Sequence, residues 1–301
     1  MSKLSDSKQF VEKNVGSFGV VGPGLIGGSI AKDLRTNFPE HPIYAIGDPT
    51  QDTDDAVNSG VINELVSVRE IPRDVNLIII STPLRVIARA AEEIARQRYD
   101  GSGKRYVMDV GSTKQDVSSA FSELTDGSVE FIPTHPMSGT EFTGFRHSRK
   151  GLFLNQAWVI CPHQNNTERG VLMARELVTS IGARAMVMDA ESHDRRASLV
   201  SHTIITLSNL LFDFVRRRDP EALDMAGSGF VSTTRHASGN PDLYESILRD
   251  NGPAVQENID AFAEYLRERR VTELDYDFFK GNKDERDQLV HKRGGTTSSQ
   301  G

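Results

Sequence analysis

The stretch FGVVGPGLIGGS, residues 18–29, decides the predicted fold. It joins a short apolar strand, which ends at Gly22, to a helix that begins at Leu25, and Gly22, Gly24 and Gly27 form the pattern G-x-G-x-x-G. In this context the first glycine permits a tight turn, the second lets the backbone approach a pyrophosphate, and the third lets the helix pack on the strand. Because a helix N-terminus favours negative charge, the sequence predicts a dinucleotide site at this turn.

Residues at the turn and after the next two strands supply the candidate cofactor site. Asp48 follows the second predicted strand, where a carboxylate would accept hydrogen bonds from the adenosine ribose of NAD and repel the 2′-phosphate of NADP. No arginine stands beside Asp48, so NAD is favoured over NADP, although Asp48 could instead only begin a turn. The full predicted set is Gly22, Gly24, Leu25, Ile26, Gly27, Asp48, Ser81, Thr82 and Pro83.

Strand and helix patterns alternate along the first half of the chain. Apolar runs predict strands at 18–21, 43–46, 77–80, 106–110 and 129–132, with helical patterns between them. This alternation predicts an α/β fold with a Rossmann-type doubly wound parallel sheet, whose ligand lies at the carboxyl ends of the strands. Two further strands are expected at 157–160 and 185–188, on either side of a helix.

From Ser192 onward the pattern is almost entirely helical. It predicts a long apolar helix over 198–215, then a loop rich in glycine, serine and threonine, and further helices near Leu243 and over 254–269. We therefore expect an all-α second domain after the sheet. The predicted segments are a flexible start at 1–16, a dinucleotide-binding domain at 17–189, a helical domain at 190–280 and a disordered tail at 281–301.

The composition excludes several classes of protein. The 301 residues carry a formal net charge of −7 with no large basic stripe, so we expect no nucleic-acid partner. The single cysteine, Cys161, excludes an internal disulfide and a cysteine-based zinc site, and no metal is expected. Because no long apolar run and no secretory signal are evident, we expect a cytoplasmic protein with no membrane partner.

Polar residues follow the fourth and fifth predicted strands on the ligand side of the sheet. Ser112 lies in GSTK, residues 111–114, and His135 lies in THPMSGTE, residues 134–141. A histidine can accept a hydroxyl proton at neutral pH, and a neighbouring serine can fix its tautomer. A histidine before a proline is more often a plain loop residue, but its place beside the dinucleotide turn favours a catalytic role here.

The helical domain contributes three further candidates. His193 lies in ESHD, residues 191–194. This segment could instead simply begin a helix, with Ser192 or Asp194 as the N-cap.

His202 lies about two helical turns later, after Ser201, and could instead be a buried core histidine. Arg235 follows the loop at 227–234, and its planar guanidinium is suited to a carboxylate, although a single arginine is usually a surface residue.

These motifs together identify a resemblance. The chain is similar to the prephenate and arogenate dehydrogenases of tyrosine biosynthesis over about residues 18–269. The motifs that carry the similarity are GPGLIGGS from Gly22, DVGSTK from Asp109, HPMSGTE from His135, ESHD from Glu191, VSH from Val200 and the loop that ends STTR at Arg235. The family implies oxidative decarboxylation, in which hydride leaves the ring carbon that bears the hydroxyl, carbon dioxide is lost and the ring becomes aromatic. It also implies a homodimer formed through the helical domain.

The resemblance assigns a role to each candidate residue. His135 would take the proton of the ring hydroxyl, a task to which a histidine at its ordinary pKa of about 6.5 is well matched at neutral pH. Ser112 would orient His135 and contact the same hydroxyl, and Arg235 would bind a substrate carboxylate. The remaining pocket residues would be Thr140, Glu141, Ser201 and His202, so the expected catalytic set is His135, Ser112, His202 and Arg235.

Departures from the family pattern leave the substrate open. Prephenate-using relatives commonly carry a second histidine where this chain has Ile205, and a basic residue where it has Val231 or Ser232. The expected substrate is therefore a cyclohexadiene carboxylate that is prephenate, arogenate or 4-amino-4-deoxyprephenate. Asp48 also lies one residue after the usual acid of the family, which keeps NADP possible.

Two other functions compete with this interpretation. One is a different β-hydroxyacid or imine dehydrogenase built on the same two-domain plan, against which the HPMSGTE segment argues. The other is a nucleotide-sensing module without catalysis, which we would expect to lack the combination of Ser112, His135 and Arg235.

Overall fold

The computed structural model describes residues 3–140 and 142–294, and its largest element is a six-stranded parallel sheet. The strands lie in the order β3-β2-β1-β4-β5-β6, with every neighbouring pair parallel. They are β1 Ser17–Val21, β2 Ile43–Ile46, β3 Glu64–Val66, β4 Val75–Ile80, β5 Arg105–Asp109 and β6 Val129–Ile132. The crossover helices are α2 Leu25–Asn37, α3 Gln51–Asn58, α4 Leu84–Ala95 and α5 Gln115–Leu124. The predicted doubly wound α/β sheet is confirmed.

The sheet is buried on both faces because its central strands carry runs of consecutive apolar residues. In β4 the side chains Leu77 to Ile80 are all fully buried, so the run that predicted a two-sided strand does form one. Phe18 and Leu77 belong to one core layer, together with Ile30 of α2, whereas Ile78 belongs to the other layer, together with Ile87 of α4. Alternate side chains of the strands therefore pack against helices on opposite faces of the sheet.

Two short strands were not predicted. β3 follows a turn and has three residues, of which Glu64 is exposed, so it lacks the apolar run that marks the other strands. The segment Thr134–Pro136, which follows the fifth predicted strand, forms β7 and pairs antiparallel with β8, Ala157–Ile160. β8 in turn pairs in parallel with β9, Arg184–Val187, and α6, Glu168–Ser180, connects these two strands.

The chain changes from strand to helix between Val187 and Ala190. The helical domain contains α7 Ala190–Ala197, a π-helical segment Ser198–His202, α8 Thr203–Arg218, α9 Ser228–Thr233, α10 Pro241–Arg267 and α11 Tyr276–Gly294. The two helices expected near Leu243 and over 254–269 are joined in α10, which is kinked at Asn251 (φ −125°, ψ 15°), two residues before Pro253.

The N-terminal residues differ from the expected flexible start. Lys3–Asn14 forms helix α1, which packs on α6. Val11 is fully buried, and the Ser7 hydroxyl donates to Glu176 of α6 at 2.5 Å. The mostly polar composition of this segment hid an apolar stripe, Val11 and Val15, at helical spacing.

The C-terminal residues also differ from the expected disordered tail. Within 281–301, the described part forms the C-terminal portion of α11 as far as Gly294. Exposed ion pairs at helical spacing, Lys280 with Asp284 and Lys283 with Asp287, favour this helix. Its side chains nevertheless stay largely exposed, which agrees with the polar sequence.

One helical stretch of the described residues, Ala190–Arg218, is long and apolar enough to cross a membrane by length and composition alone, with 22% of the tested window buried. The core helix of a globular protein passes the same test. Within this stretch the polar residues His193, Asp194 and His202 are buried against the sheet domain or against α10.

Candidate active site

The glycine turn lies between β1 and α2, at the carboxyl edge of the sheet. Gly22 adopts φ +77°, a conformation that favours glycine. A Cβ on Gly27 would lie 2.2 Å from Ser81 Oγ and 2.5 Å from the carbonyl oxygen of Gly22, so only glycine fits between the helix and the turn. The Ser81 hydroxyl donates to the carbonyl of Gly22 at 2.8 Å. The structure thus brings together the turn and the segment after β4.

The turn has the polar groups that a dinucleotide needs. Gly24 is the N-cap of α2 and provides no side-chain cap, so the first N–H groups of the helix are not bound by a capping side chain. Beside Gly22, the Thr82 hydroxyl is buried without a hydrogen-bond partner among the described residues. Leu25 and Ile26 are buried or half-buried in the first turn of α2, and Pro83 is the N-cap of α4.

Two carboxylates compete for the role that was predicted for Asp48. Asp48 is exposed, two residues after the end of β2. Asp52, in the first turn of α3, is half-buried; its Oδ1 accepts a hydrogen bond from the backbone N–H of Phe145 at 2.8 Å. Its Oδ2 lies 3.5 Å from the point that a Cβ on Gly24 would occupy. Sequence reasoning missed Asp52, although the capping box at Thr50 signals that α3 starts there.

The centre of the candidate active site is a chain of three side chains. Nδ1 of His135, in β7, lies 2.9 Å from Nε2 of His193, in α7. Nδ1 of His193 lies 2.7 Å from Oδ1 of Asp194. All three residues are buried, and the two imidazole rings meet edge to face. We name this chain of residues, His135, His193 and Asp194, the relay.

The hydrogen-bonding capacity of each group fixes the tautomers of the relay. An ionised carboxylate only accepts, so the Nδ1 of His193 must donate to Asp194. In neutral His193 the Nε2 is then an acceptor, and Nδ1 of His135 must donate to it. The Nε2 of His135 therefore carries a free lone pair, and among the described residues it has no hydrogen-bond partner. This arrangement makes that nitrogen a proton acceptor.

Asp194 also joins the helical domain to the sheet domain. Its Oδ1 accepts from the backbone N–H of Lys114 at 2.7 Å and its Oδ2 from that of Gln115 at 2.9 Å, so it caps the N-terminus of α5. The expected alternative, a cap of its own helix, is wrong, because Asp189 caps α7 by accepting from Ser192 N–H. Burial opposes ionisation, but hydrogen bonds from His193, Gln115 and Lys114 lower the pKa of Asp194 below its usual value.

The expectation of an ordinary pKa for His135 is wrong. Burial lowers the pKa of His135 well below its usual value, and charge on His193, Lys114 and His202 lowers it further. His135 therefore stays neutral at pH 7, so its lone pair is available. The cost is a weaker base than an unshifted histidine.

Ser112 does not orient His135 in the manner expected. Both residues belong to the described part of the chain, and no hydrogen bond joins them; the ring is held by His193 instead. Ser112 is half-buried at the carboxyl end of β5, two residues before Lys114.

A buried ion pair fixes the strand that carries His135. Lys114 contacts Asp109 and donates to the carbonyl of Thr134 at 2.8 Å, while Asp109 accepts from the backbone N–H of Thr134 at 2.9 Å. Lys114 and Asp109 are fully buried. Sequence reasoning missed the role of both charges, although DVGSTK, residues 109–114, places two opposite charges after an apolar strand.

The other predicted substrate residues have different surroundings. His202 is buried at the end of the π-helical segment, and its Nδ1 lies 3.1 Å from Asn251 Nδ2; Ser201 beside it is half-buried. Thr140 is exposed and its hydroxyl accepts from the N–H of Phe142 at 3.3 Å. Arg235 is exposed and begins a 3-10 turn after α9. Glu141 lies outside the described residues.

Two family descriptions match the chain in the same order as its two domains. Residues 30–187 match the nucleotide-binding domain of prephenate dehydrogenase, and residues 189–280 match the dimerization domain of prephenate dehydrogenase.

Individual relatives agree with the family match. The prephenate dehydrogenase of Bacillus subtilis (strain 168) is 29% identical over 289 residues, covering 92% of this chain and 76% of that protein. The solved prephenate dehydrogenase from A. aeolicus, in complex with hydroxyphenyl propionate and NAD⁺, superposes with a TM-score of 0.79 at 23% identity, covering 92% of this chain and 98% of that one. The Synechocystis arogenate dehydrogenase has a TM-score of 0.70 at 24% identity, covering 93% and 98%. The solved structures share the fold, and the family matches span both domains. The chain belongs to the prephenate dehydrogenase family.

Proposed function

We propose that this protein catalyses the NAD-dependent oxidative decarboxylation of prephenate to 4-hydroxyphenylpyruvate. The observation that carries the proposal is the relay, which presents an unprotonated Nε2 of His135 in a chain that also has an open dinucleotide turn. A hydroxyl that is oxidised to a carbonyl must lose its proton, and a neutral, buried imidazole is suited to accept it. NAD, when bound, supplies the hydride acceptor.

The relay stabilises the positive charge that develops when His135 accepts a proton. When Nε2 of His135 takes the proton from the ring hydroxyl, Nδ1–H of that ring still donates to His193, and His193 still donates to Asp194. The carboxylate of Asp194 then stabilises the positive charge that develops on the histidines. Loss of the ring carboxylate as carbon dioxide leaves its electron pair to the ring, which becomes aromatic.

The cofactor residues fit NAD by their chemistry. The N-terminus of α2 after Gly24 would hold the pyrophosphate, and the partnerless hydroxyl of Thr82 would accept or donate a hydrogen bond toward the cofactor. A carboxylate near the turn, Asp48 or Asp52, would bind the ribose hydroxyls and disfavour the additional phosphate of NADP.

Arogenate is the second candidate substrate, and three positions of the helical domain support it. By the family resemblance, prephenate-using relatives commonly carry a histidine at the position of Ile205 and a basic residue at that of Val231 or Ser232. Arogenate and 4-amino-4-deoxyprephenate each carry an amine that prephenate lacks, so a pocket with fewer cationic groups would accept them more readily. The solved arogenate dehydrogenase of Synechocystis shares this fold.

Homodimerisation through the helical domain and a cytoplasmic location belong to the same proposal. The matched dimerization domain supports the dimer, as do the exposed apolar side chains of α8. Phe214 is 61% exposed and Leu210 is 52% exposed, one helical turn apart. A second copy of the chain would cover this surface.

The direct test is a matrix of three substrates against two cofactors. Prephenate, arogenate and 4-amino-4-deoxyprephenate are each mixed with NAD or NADP, and reduced nicotinamide is followed by its absorbance. We expect turnover with prephenate and NAD. Turnover only with an amine-bearing substrate would replace prephenate, and NAD binding without turnover of any substrate would favour the sensing module.

A variant links the measured activity to the relay. His135→Asn should lower kcat by roughly 10²–10⁴-fold, the contribution of a general base, while the Kd for NAD stays unchanged. His163→Asn is the matched control, because His163 is half-buried and contacts the carbonyl of Phe131, outside the relay. Comparable turnover in His135→Asn and in the wild type would overturn the role of His135.

A further inference from the structure

We propose that Asn251 is a positioning residue that holds His202 as an Nε2–H donor toward an acceptor oxygen of the substrate, a carboxylate or carbonyl. The inference rests on the proposed function for its substrate, but its geometric part is independent of the reaction. Neither the family resemblance nor the sequence pattern drew attention to Asn251.

Asn251 links the relay to His202. Its Nδ2 donates to the backbone carbonyl of Asp194 at 2.8 Å and lies 3.1 Å from Nδ1 of His202. Asn251 is 5% exposed and His202 is 1% exposed, so water does not compete for these contacts. One amide nitrogen thus uses both of its hydrogens on two groups of the helical domain.

The contacts of this amide determine the tautomer of His202. A backbone carbonyl only accepts, so the atom of Asn251 that faces Asp194 must be the donor nitrogen. The same nitrogen faces Nδ1 of His202, and an amide nitrogen cannot accept; Nδ1 therefore accepts and the ring proton lies on Nε2. This assignment follows from the partners, without reference to any ligand.

The Nε2 of His202 is a buried donor with nothing to bind. Across the described ranges it has no hydrogen-bond partner. Buried polar groups are almost always paired in folded proteins, so an unpaired one close to a catalytic centre indicates a group that arrives with a ligand. His202 is joined to Asp194 of the relay through one residue, Asn251, and it lowers the pKa of His135. A substrate oxygen near His135 would satisfy this donor.

His202 donates as a neutral ring. Burial lowers the pKa of His202 to about 4; Asp194 opposes the shift and His193 adds to it. At neutral pH the ring therefore supplies one directed hydrogen and no charge. A neutral donor recognises an oxygen by geometry, and the charge of the substrate is left to other groups.

The backbone of α10 is built to place Asn251 at this position. Asn251 lies outside helical geometry, at φ −125° and ψ 15°, because Pro253 cannot continue the hydrogen-bond ladder and its ring crowds the preceding turn. Two helical turns later Asn258 donates to the Ser198 hydroxyl at 2.9 Å. The kinked helix therefore contacts both ends of the π-helical segment Ser198–His202, a type of irregularity frequent at functional sites.

The test replaces the donor by an acceptor. In Asn251→Asp the carboxylate accepts from His202, so the ring proton moves to Nδ1 and Nε2 becomes an acceptor that repels a substrate oxygen. Long-range ¹⁵N NMR of histidine-labelled protein reports the tautomer directly, with His202→Gln used to assign the signals. We expect the wild type to carry its proton on Nε2 and the variant on Nδ1.

Steady-state kinetics with prephenate provide the second measurement. The KM of Asn251→Asp should rise about tenfold, with a smaller change in kcat and no change in the Kd for NAD. Asn258→Asp is the matched control: it makes the same change on the same helix, and should alter neither the tautomer nor KM. If Asn251→Asp does not fold, Asn251→Ser replaces it, since the serine hydroxyl removes the obligatory donor without adding charge.

Two results would overturn the proposal. One is a wild-type His202 that carries its proton on Nδ1. The other is a KM that stays unchanged in a variant whose tautomer has reversed. If no substrate in the matrix is turned over, the proposed function fails. The NMR experiment still tests whether Asn251 sets the tautomer of His202, because it does not depend on turnover.

Discussion

Nδ1 of His135 lies 2.9 Å from Nε2 of His193, and this contact determines which nitrogen of His135 can accept a proton. Because Asp194 holds the proton of His193 on its other nitrogen, His135 must donate through Nδ1 and accept through Nε2. Three residues from two domains thus fix one lone pair. A serine next to the histidine, which the resemblance implied, would fix it less firmly because a hydroxyl can donate or accept.

The pH dependence of activity should reflect this burial. A base must be unprotonated, and the pKa of His135 lies well below its usual value, so kcat/KM should stay level as the pH falls through 6.5 and decline only at lower pH. His193→Gln removes a neighbour that lowers the pKa of His135, so the acidic decline should move to higher pH. The variant should also lose kcat, by up to the roughly 10²–10⁴-fold that a general base contributes.

The control for this profile is His163→Gln, which should leave the acidic decline in place. A wild-type profile that falls at pH 6.5, or a His193→Gln profile with an unmoved acidic side, would contradict the relay.

Local patterns in the sequence predicted most of the sheet but not the partners inside the site. Every strand of the large sheet except β3 has a buried apolar run, and each was predicted; β3 has three residues, none of them buried, and was missed. His135 was found because HPMSGTE follows a strand. Its partner His193 lies 58 residues away, and the contact depends on how α7 packs against α5, which no local spacing encodes.

The charged groups of the site were also hard to predict. Local capping rules offer Asp194 as a cap for its own helix, yet it caps a helix of the other domain. Asn251 lies in an unremarkable polar stretch whose only local signal is the following Pro253, and its two contacts depend on the kink that the proline causes.

Two substitutions in the glycine turn should affect different properties: one should weaken NAD binding and the other should lower stability. In Gly24→Ala the new Cβ would meet its nearest neighbour, Asp52 Oδ2, at an ordinary 3.5 Å, so stability should be nearly unchanged while NAD binds about tenfold more weakly. In Gly27→Ala the new Cβ would collide with the Gly22 carbonyl at 2.5 Å, so the free energy of unfolding should fall by about 1–3 kcal/mol.

Thermal unfolding and calorimetric NAD titration separate these two effects. Gly127→Ala serves as the control, because no other residue of the described ranges, its two chain neighbours aside, has an atom within 4 Å of its Cβ position. Unchanged NAD affinity in Gly24→Ala would mean that the turn does not approach the cofactor.

The choice between NAD and NADP should depend on Asp52 more than on Asp48. Asp52→Asn keeps an oxygen for the N–H of Phe145 but removes the negative charge nearest Gly24. We expect this variant to lower the ratio of the Kd for NADP to the Kd for NAD about tenfold, since the charge would no longer repel the extra phosphate. Asp48→Asn is the matched comparison, and a larger effect there would restore the assignment made from the sequence.

Arg235 should act on substrate affinity. A charge-assisted hydrogen bond to a carboxylate contributes about 1.5–3 kcal/mol, so Arg235→Ala should raise KM for the substrate by roughly 10–100-fold. The Kd for NAD should not change. Arg249→Ala is a suitable control, because Arg249 is an exposed arginine of the same domain that pairs with Glu245. An unchanged KM in Arg235→Ala would remove Arg235 from the substrate site.

The exposed apolar side chains of α8 should form the subunit contact. Phe214 is 61% exposed within the region that matches the dimerization domain, and a buried charge at an apolar interface is strongly unfavourable. Sedimentation velocity should therefore find a homodimer for the wild type and a monomer, or a dimer of much weaker affinity, for Phe214→Arg. Leu154→Arg makes the same change at a 56% exposed residue of the sheet domain and should remain dimeric. Because the dinucleotide turn lies in the other domain, Phe214→Arg should still bind NAD, which separates loss of the dimer from loss of the fold. A monomeric wild type at micromolar concentration would contradict the homodimer.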